Sequence, residues 1–208
     1  MNIIASAKVP IIKFVDIEHN FNIDISFNKM DGLFQTREVL KSFKIYPEIK
    51  PLVFVLKIYL RQRNMNETYT GGVGSFLLFC LILSFLREFK RNMLERRGIE
   101  ELKTILLSEY LIKFLEFYGL NFDTVRKRII MKDSGKIIEK NTKDSGFSLM
   151  SPQCDTHDIG SAAFRIKEIF NTFKNRYYFC TNYNFKPGES ILKYLINPSK
   201  YDFQVYMK

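Results

Sequence analysis

Cysteine is scarce in this chain, and the few present stand apart. Cys80, Cys154 and Cys180 make up the complement of 3, and none has a C-x-x-C neighbour. Zinc sites and disulfide frameworks need paired thiols, so the pattern predicts three reduced cysteines in an intracellular protein. Long hydrophobic runs are missing as well. The longest, Val73 to Leu86, is interrupted by Gly74, Ser75 and Ser84 and falls short of the about 20 residues that cross a bilayer, so no membrane partner is expected. The opening MNIIASAKVP lacks the basic stretch and apolar core of a secretory leader. Acidic residues are in deficit, with 22 Asp and Glu against 32 Lys and Arg, a formal charge of +10. Such a surplus favours polyanions such as nucleic acid, nucleotides or a membrane surface, although a merely soluble basic protein would carry it too.

What is present is material for a core. Of 208 residues, 46% are hydrophobic and 15% aromatic, which excludes disorder and suffices for at most two small domains. The first thirty residues read as strands. Val9 to Val15 is a short apolar run and Asp16 to Asn20 a polar turn, in which His19 reads as an ordinary exposed residue. Asn22 to Phe27 then alternates, with Ile23, Ile25 and Phe27 on one face and Asn22, Asp24 and Ser26 on the other. This predicts a hairpin with a buried and a polar face, the polar one carrying Asp24.

From Leu33 the pattern is helical. Pro47 and Pro51 are compatible with a first helical turn, and Leu52 to Arg63 continues as an apolar helix. After Gly71-Gly72-Val73-Gly74, Ser75 to Lys90 predicts a helix apolar nearly all round and therefore buried. Leu102 to Tyr118 predicts another. A hairpin follows, pairing Arg128 to Met131 with Ile137-Ile138 across the turn Lys132 to Gly135. Helices are then expected over Ser161 to Phe173 and Ser190 to Leu195.

Three places invite chemistry. Lys57 sits in the apolar stretch Leu52 to Leu60, which predicts partial burial, and Arg61 lies one turn on, on the same face. Two cations there call for an anion, unless the lysine simply extends to solvent. Glycines ahead of the Ser75 helix could let backbone N–H groups approach a phosphate, or could serve only as a turn between packed helices. Ser151 to Gly160 is a polar loop running into a helix, and on its own could be no more than a cap.

Together these pieces resemble a family. Lys8-Val9-Pro10-Ile11-Ile12-Lys13-Phe14, Ile23-Asp24-Ile25-Ser26-Phe27, Leu56-Lys57, Tyr69-Thr70-Gly71-Gly72-Val73-Gly74-Ser75-Phe76 and Asp158-Ile159-Gly160-Ser161 follow one another as in the template-independent RNA nucleotidyltransferases. The branch most similar is the DNA-polymerase-sigma-like one, whose poly(A) polymerases tag RNA for the nuclear exosome. The resemblance implies an α+β fold: residues 1–31 as the last strands of a polymerase-β-like palm, and 32–208 as a mainly helical central domain with a nucleotide recognition loop. It implies Asp24 as one of three carboxylates that hold two Mg²⁺ (or Mn²⁺) ions, and hence as a catalytic residue. Lys57 and Arg61 match positions that reach the triphosphate. Ser75, after Gly71 and Gly72, matches a phosphate contact, and Phe76 a ring that stacks on the base.

Departures carry their own expectations. Asp31 replaces an asparagine near the ribose, and Ser151 replaces the aspartate of an Asp-Pro pair. His157, next to Asp158, replaces an asparagine of the adenylating branch and is similar to the uridylyltransferases, where a ring nitrogen could bond the uracil O4. The Gly-Ser and Asp-x-Asp elements that precede Lys8 in the family do not occur in the chain, so the expectation is either a truncated enzyme or a protein without catalysis. The activity implied is transfer of AMP from ATP to RNA 3′ ends in the nucleus. UTP as donor, or an inactive binding module, are the alternatives. A zinc-knuckle RNA-binding protein and a helicase are the implied partners, and Arg87, Lys90, Arg91, Arg96 and Arg97 form a candidate RNA surface.

Overall fold

The computed structural model describes residues 2–5, 10–27, 31–132, 135–140, 146–154 and 156–197, with Asp31 described by its backbone alone. The chain divides into two units, Met1–Leu40 and Lys41–Lys208, and the boundary falls inside the first helix.

In the first unit, β1 (Asn2–Ile4), β2 (Ile11–Asp16) and β3 (Phe21–Ser26) form an antiparallel meander in the order β1-β2-β3. Asp16 accepts the His19 N–H at 3.1 Å, and Asn20 takes a φ of 55°, a left-handed turn position that asparagine tolerates. The register sets Phe14 opposite Ile23 and Lys13 opposite Asp24. Lys8 and Val9, at the start of the expected first strand, lie outside the described residues. The buried face predicted for β3 is realised only in part. Ile23 is half-buried, whereas Ile25 is 39% and Phe27 67% exposed. Alternation assigns side chains to a face, but burial requires a second layer against it.

Helix α1 (Asp31–Ile45) leads towards the second unit, which holds α2 (Ile49–Arg61), α3 (Ser75–Arg97), α4 (Ile99–Thr104) and α5 (Leu107–Glu116). Beyond them come β4 (Lys127–Ile130), β5 (Lys136–Glu139), β6 (Leu149–Met150), α6 (Ile166–Asn182) and α7 (Leu192–Leu195). Pro51 sits in the first turn of α2, where a missing N–H leaves no hydrogen bond unmade, and Leu52, Leu56, Tyr59 and Leu60 form the buried stripe. Every residue of α3 from Leu77 to Leu86 is buried, as its all-round apolar character predicts. The helix outlasts that run because its polar half is tied down by Lys90–Glu48 (2.7 Å) and Arg91–Glu88, until Gly98, at φ 86°, ends it.

The single helix expected over Leu102–Tyr118 is two. Ile105 and Leu106 are extended, with ψ of 126° and 155°. Leu102, Leu106 and Leu107 keep an apolar rhythm across the break, so periodicity could not register it. Beyond α5 the chain loosens into a π turn, Phe117–Asn121, where a side chain on Gly119 would meet the Lys174 backbone nitrogen of α6 at 2.5 Å. An aromatic core fills the space between α3, α5 and α6. Phe114 contacts Phe85 (5.7 Å between centroids), Phe173 (5.5 Å) and Tyr118 (5.0 Å), and Tyr118 donates its hydroxyl to the Leu81 carbonyl at 2.9 Å.

The hairpin β4–β5 pairs as predicted, from Lys127↔Glu139 to Ile130↔Lys136, and residues 133–134 of its turn lie outside the described residues. Strand β6 was not legible. It is two residues long, too short to show alternation, and runs parallel to β4 in the order β5-β4-β6. The helix expected from Ser161 starts at Ile166, because the residues before it complete a loop. No disulfide joins the cysteines among the described residues. Among the described residues no helix is long and apolar enough to cross a membrane.

Candidate functional site

Lys57 and Arg61, the two candidate cations of α2, are both on the surface. Lys57 is exposed, which corrects the partial burial expected of it: Leu56, Tyr59 and Leu60 take the core-facing positions at 0–1% exposure, and the lysine falls outside that stripe. Lys57 makes no hydrogen bond or ion pair among the described residues. Arg61, also exposed, lines a shallow cavity of about 780 Å³ together with Thr70 and Arg165.

The glycine loop is a packing device first. The N–H groups of Gly71, Gly72 and Val73 bond Thr68 (3.0 Å), Glu67 (2.8 Å) and Met65 (2.8 Å) carbonyls, so the backbone cradle expected of Gly71 and Gly72 is used up inside the protein. Gly71 adopts a left-handed φ of 77°, and a side chain on Gly72 would meet the Met65 carbonyl oxygen at 2.5 Å. The N–H groups left for an anion are those of the first turn of α3, from Ser75 onward, where the helix has no side-chain cap. Ser75 is exposed there. Phe76 is half-buried, with Phe79 stacked behind it at 5.9 Å and 24°, and Phe43 edge-on to Phe79 at 6.4 Å. One face of the Phe76 ring is thus fixed by packing.

The polar loop closes on Asp158. Its Oδ1 accepts three backbone N–H groups, from Leu149 (3.1 Å), Gly160 (2.8 Å) and Ser161 (3.1 Å). The Oδ1 of Asp158, a residue expected at the nucleotide, thus holds the loop together. Ser151 is buried, its N–H bonds the His157 carbonyl at 2.8 Å, and its Oγ accepts the Gln153 N–H at 3.2 Å. Serine at this departure from the family pattern therefore serves the turn. The His157 side chain is exposed.

Gly71 ties the loop to the glycine turn. Its carbonyl accepts the Arg165 N–H at 3.1 Å, and the Phe164 ring fills the space a side chain there would need. Arg165 further bonds the Asn64 carbonyl (3.0 Å) and forks onto both Glu168 oxygens (2.8 and 2.9 Å), which raises its own pKa and lowers that of Glu168. Phe164, Arg165 and Phe79 escaped sequence reasoning. Only the Arg165–Glu168 spacing carried a signal, that of a helical ion pair.

The basic run of α3 is largely engaged already. Lys90 pairs with Glu48 and faces the Tyr46 and Tyr110 rings, Arg91 pairs with Glu88, Arg97 with Glu101 at 3.4 Å, and Arg87 donates to the Met131 carbonyl at 3.4 Å. In the first unit, Asp24 forms a cross-strand pair with Lys13 at 3.6 Å, both half-exposed. The side chain of Asp31 lies outside the described residues.

Comparison with known proteins resolves what this arrangement belongs to. Residues 1–43 match the family described as poly(A) RNA polymerase, mitochondrial-like, central palm domain. The chain is 35% identical over 181 residues to the poly(A) RNA polymerase CID14 of Cryptococcus neoformans, covering 84% of this chain and 23% of the relative. The solved polymerase core of TRAMP, an RNA surveillance complex, superposes with a TM-score of 0.76 at 28% identity, over 94% of this chain and 65% of that one. The chain belongs to the template-independent RNA nucleotidyltransferases.

It is also similar, at 32% identity over 184 residues, to a Drosophila melanogaster relative, the inactive non-canonical poly(A) RNA polymerase protein Trf4-2, covering 83% of this chain and 44% of that protein. The chain thus spans less than half the length of these curated relatives. A divalent metal is implied by the family, and the described residues do not form its site. Among them no group of three or more His, Cys, Asp or Glu side chains could hold an ion, and Asp24 offers a single carboxylate beside a lysine.

Proposed function

We propose that this nucleotidyltransferase transfers AMP from ATP to the 3′ end of RNA without a template. The observation that carries the reading is the junction at Gly71, where the turn leading to Phe76 and the loop bearing His157 are bonded to one another. A stacking ring and a base-edge loop held on one frame suit a nucleotide, because a flat apolar face accepts any base and an edge contact then selects. Lys57, exposed on α2, and the N–H groups at the start of α3 suit the triphosphate. Asp24 would contribute one carboxylate to a Mg²⁺ or Mn²⁺ site. Nuclear residence, and assistance from a zinc-knuckle protein and a helicase, belong to the same reading.

Two alternatives have particular support. His157 in place of asparagine favours UTP as donor. The similarity to a relative described as inactive favours a binding module without catalysis. A tailing assay with labelled oligo(A) RNA, Mg²⁺ and each ribonucleoside triphosphate separately decides among them. Extension with ATP that disappears in Asp24→Ala is the expected result. Extension mainly with UTP, shifting towards ATP in His157→Asn, would assign the uridylyl donor. Binding of a fluorescent ATP analogue without extension by any nucleotide would leave the module.

A further inference from the structure

A second cavity, of about 470 Å³, opens between β4, the residues ahead of β6 and the segment leading into α6. Arg128, Ser148, Asp158, Ser161, Phe164 and Lys167 are among its walls, and Lys57, Arg61, Ser75, Phe76 and His157 are not. Two cations therefore share a concave surface that meets the recognition loop only at Asp158 and Gly160. Neither the Arg128 nor the Lys167 side chain makes a hydrogen bond or ion pair among the described residues, and the Nε of Arg128 is buried with no acceptor. A buried guanidinium nitrogen without a partner is unfavourable as it stands and is relieved by an anion entering the cavity.

The one carboxylate in the wall does not cancel this field. Three backbone N–H groups converge on Asp158 Oδ1 and offset its charge. Lys167 lies in the first turn of α6, so the positive end of a 17-residue helix adds to the potential there. At the rim, Phe164 exposes 72% of its surface, a flat apolar face beside the charges. Two cations against one carboxylate leave a single net positive charge, which matches the single charge of a phosphodiester better than the several charges of a triphosphate, and the ring suits the adjoining base.

We propose that this cavity binds a phosphodiester of the RNA substrate strand, with Arg128 and Lys167 on the phosphate and Phe164 against a neighbouring base. The proposal rests on the nucleotidyltransferase reading and adds to it a place for the strand.

The test is fluorescence anisotropy of labelled oligo(A) RNA on the full chain across a salt series. Arg128→Gln, Lys167→Gln and Arg128→Lys are compared with Lys103→Gln, a surface lysine paired with Glu100 elsewhere. Each glutamine variant at the cavity should weaken RNA binding about 3- to 10-fold and reduce the slope of log affinity against log salt by about one, while Arg128→Lys recovers most of the loss and Lys103→Gln changes little. Binding of a fluorescent ATP analogue should stay as in the unaltered chain. Lys167 is exposed, so its variant reports even where Arg128→Gln lowers the melting temperature. RNA affinity and salt slope unchanged in folded variants would overturn the proposal, and the nucleotidyltransferase reading stands if the ATP analogue still binds through Phe76. Loss of inorganic phosphate or AMP binding in the variants, with RNA unaffected, would reassign the cavity to a free phosphate ligand. Failure of the unaltered chain to bind either RNA or the ATP analogue would overturn the reading itself and the proposal with it.

Discussion

Phe164 occupies the space into which a side chain on Gly71 would project, and the next residue, Arg165, bonds the Gly71 carbonyl at 3.1 Å. One glycine thus joins the turn before α3 to the loop before α6. Its replacement should be costly on two counts. A left-handed backbone disfavours alanine by about 1–2 kcal/mol, and forced overpacking adds about 1–3 kcal/mol. Gly71→Ala is therefore expected to lower urea-unfolding stability by about 2–5 kcal/mol. Phe164→Ala in the same chain should restore the steric share and leave the backbone share, which a double-mutant cycle would reveal.

Phe76 presents a ring already backed by Phe79. Phe76→Ala should weaken binding of a fluorescent ATP analogue about 5- to 150-fold, the range that stacking of about 1–3 kcal/mol implies. Phe76→Tyr should retain most of the affinity. Equal affinity in all three chains would remove the stacking role.

Asp158 anchors its loop through one oxygen that accepts three N–H groups. Asp158→Ala should destabilise the chain by about 1.5–3 kcal/mol. Amide hydrogen exchange at Leu149, Gly160 and Ser161 should accelerate together, and Asp158→Asn, which keeps an acceptor oxygen, should show a smaller effect.

Glu189 supplies a pH dependence with a defined sign. Its carboxylate accepts the Tyr194 hydroxyl, the Lys193 ammonium and the Lys186 N–H, and these hold its pKa at about 2 against an ordinary 4.5. A carboxyl whose pKa is depressed on folding stabilises above its unfolded value. That contribution is present above pH 4.5 and fades as pH falls towards 2. The difference in melting temperature between the unaltered chain and Glu189→Gln should therefore shrink over that window, and a constant difference would exclude the linkage.

Local pattern carried much of this fold. The β4–β5 hairpin and the buried first half of α3 are periodicities between neighbours in sequence, and they appear where the pattern puts them. The family resemblance was legible because its motifs are short contiguous strings, Thr70 to Phe76 and Asp158 to Ser161 among them. The break at Ile105 was hidden because an apolar residue at the right interval looks the same in one helix or two. Strand β6 was hidden because a two-residue pairing depends on Ile129 and Ile130, twenty residues away.

By itself, then, the sequence determined which segments form helices or strands, which faces are apolar, and which short strings mark a nucleotidyltransferase. Tertiary structure alone decided that the glycine N–H groups are spent on the protein's own carbonyls, that Lys57 is exposed and that Asp158 organises a loop. It alone brought Arg128 and Lys167 to one cavity. The reason is physical: a side chain's availability depends on which donors and acceptors arrive beside it from distant parts of the chain, and periodicity, which is local, holds no record of them.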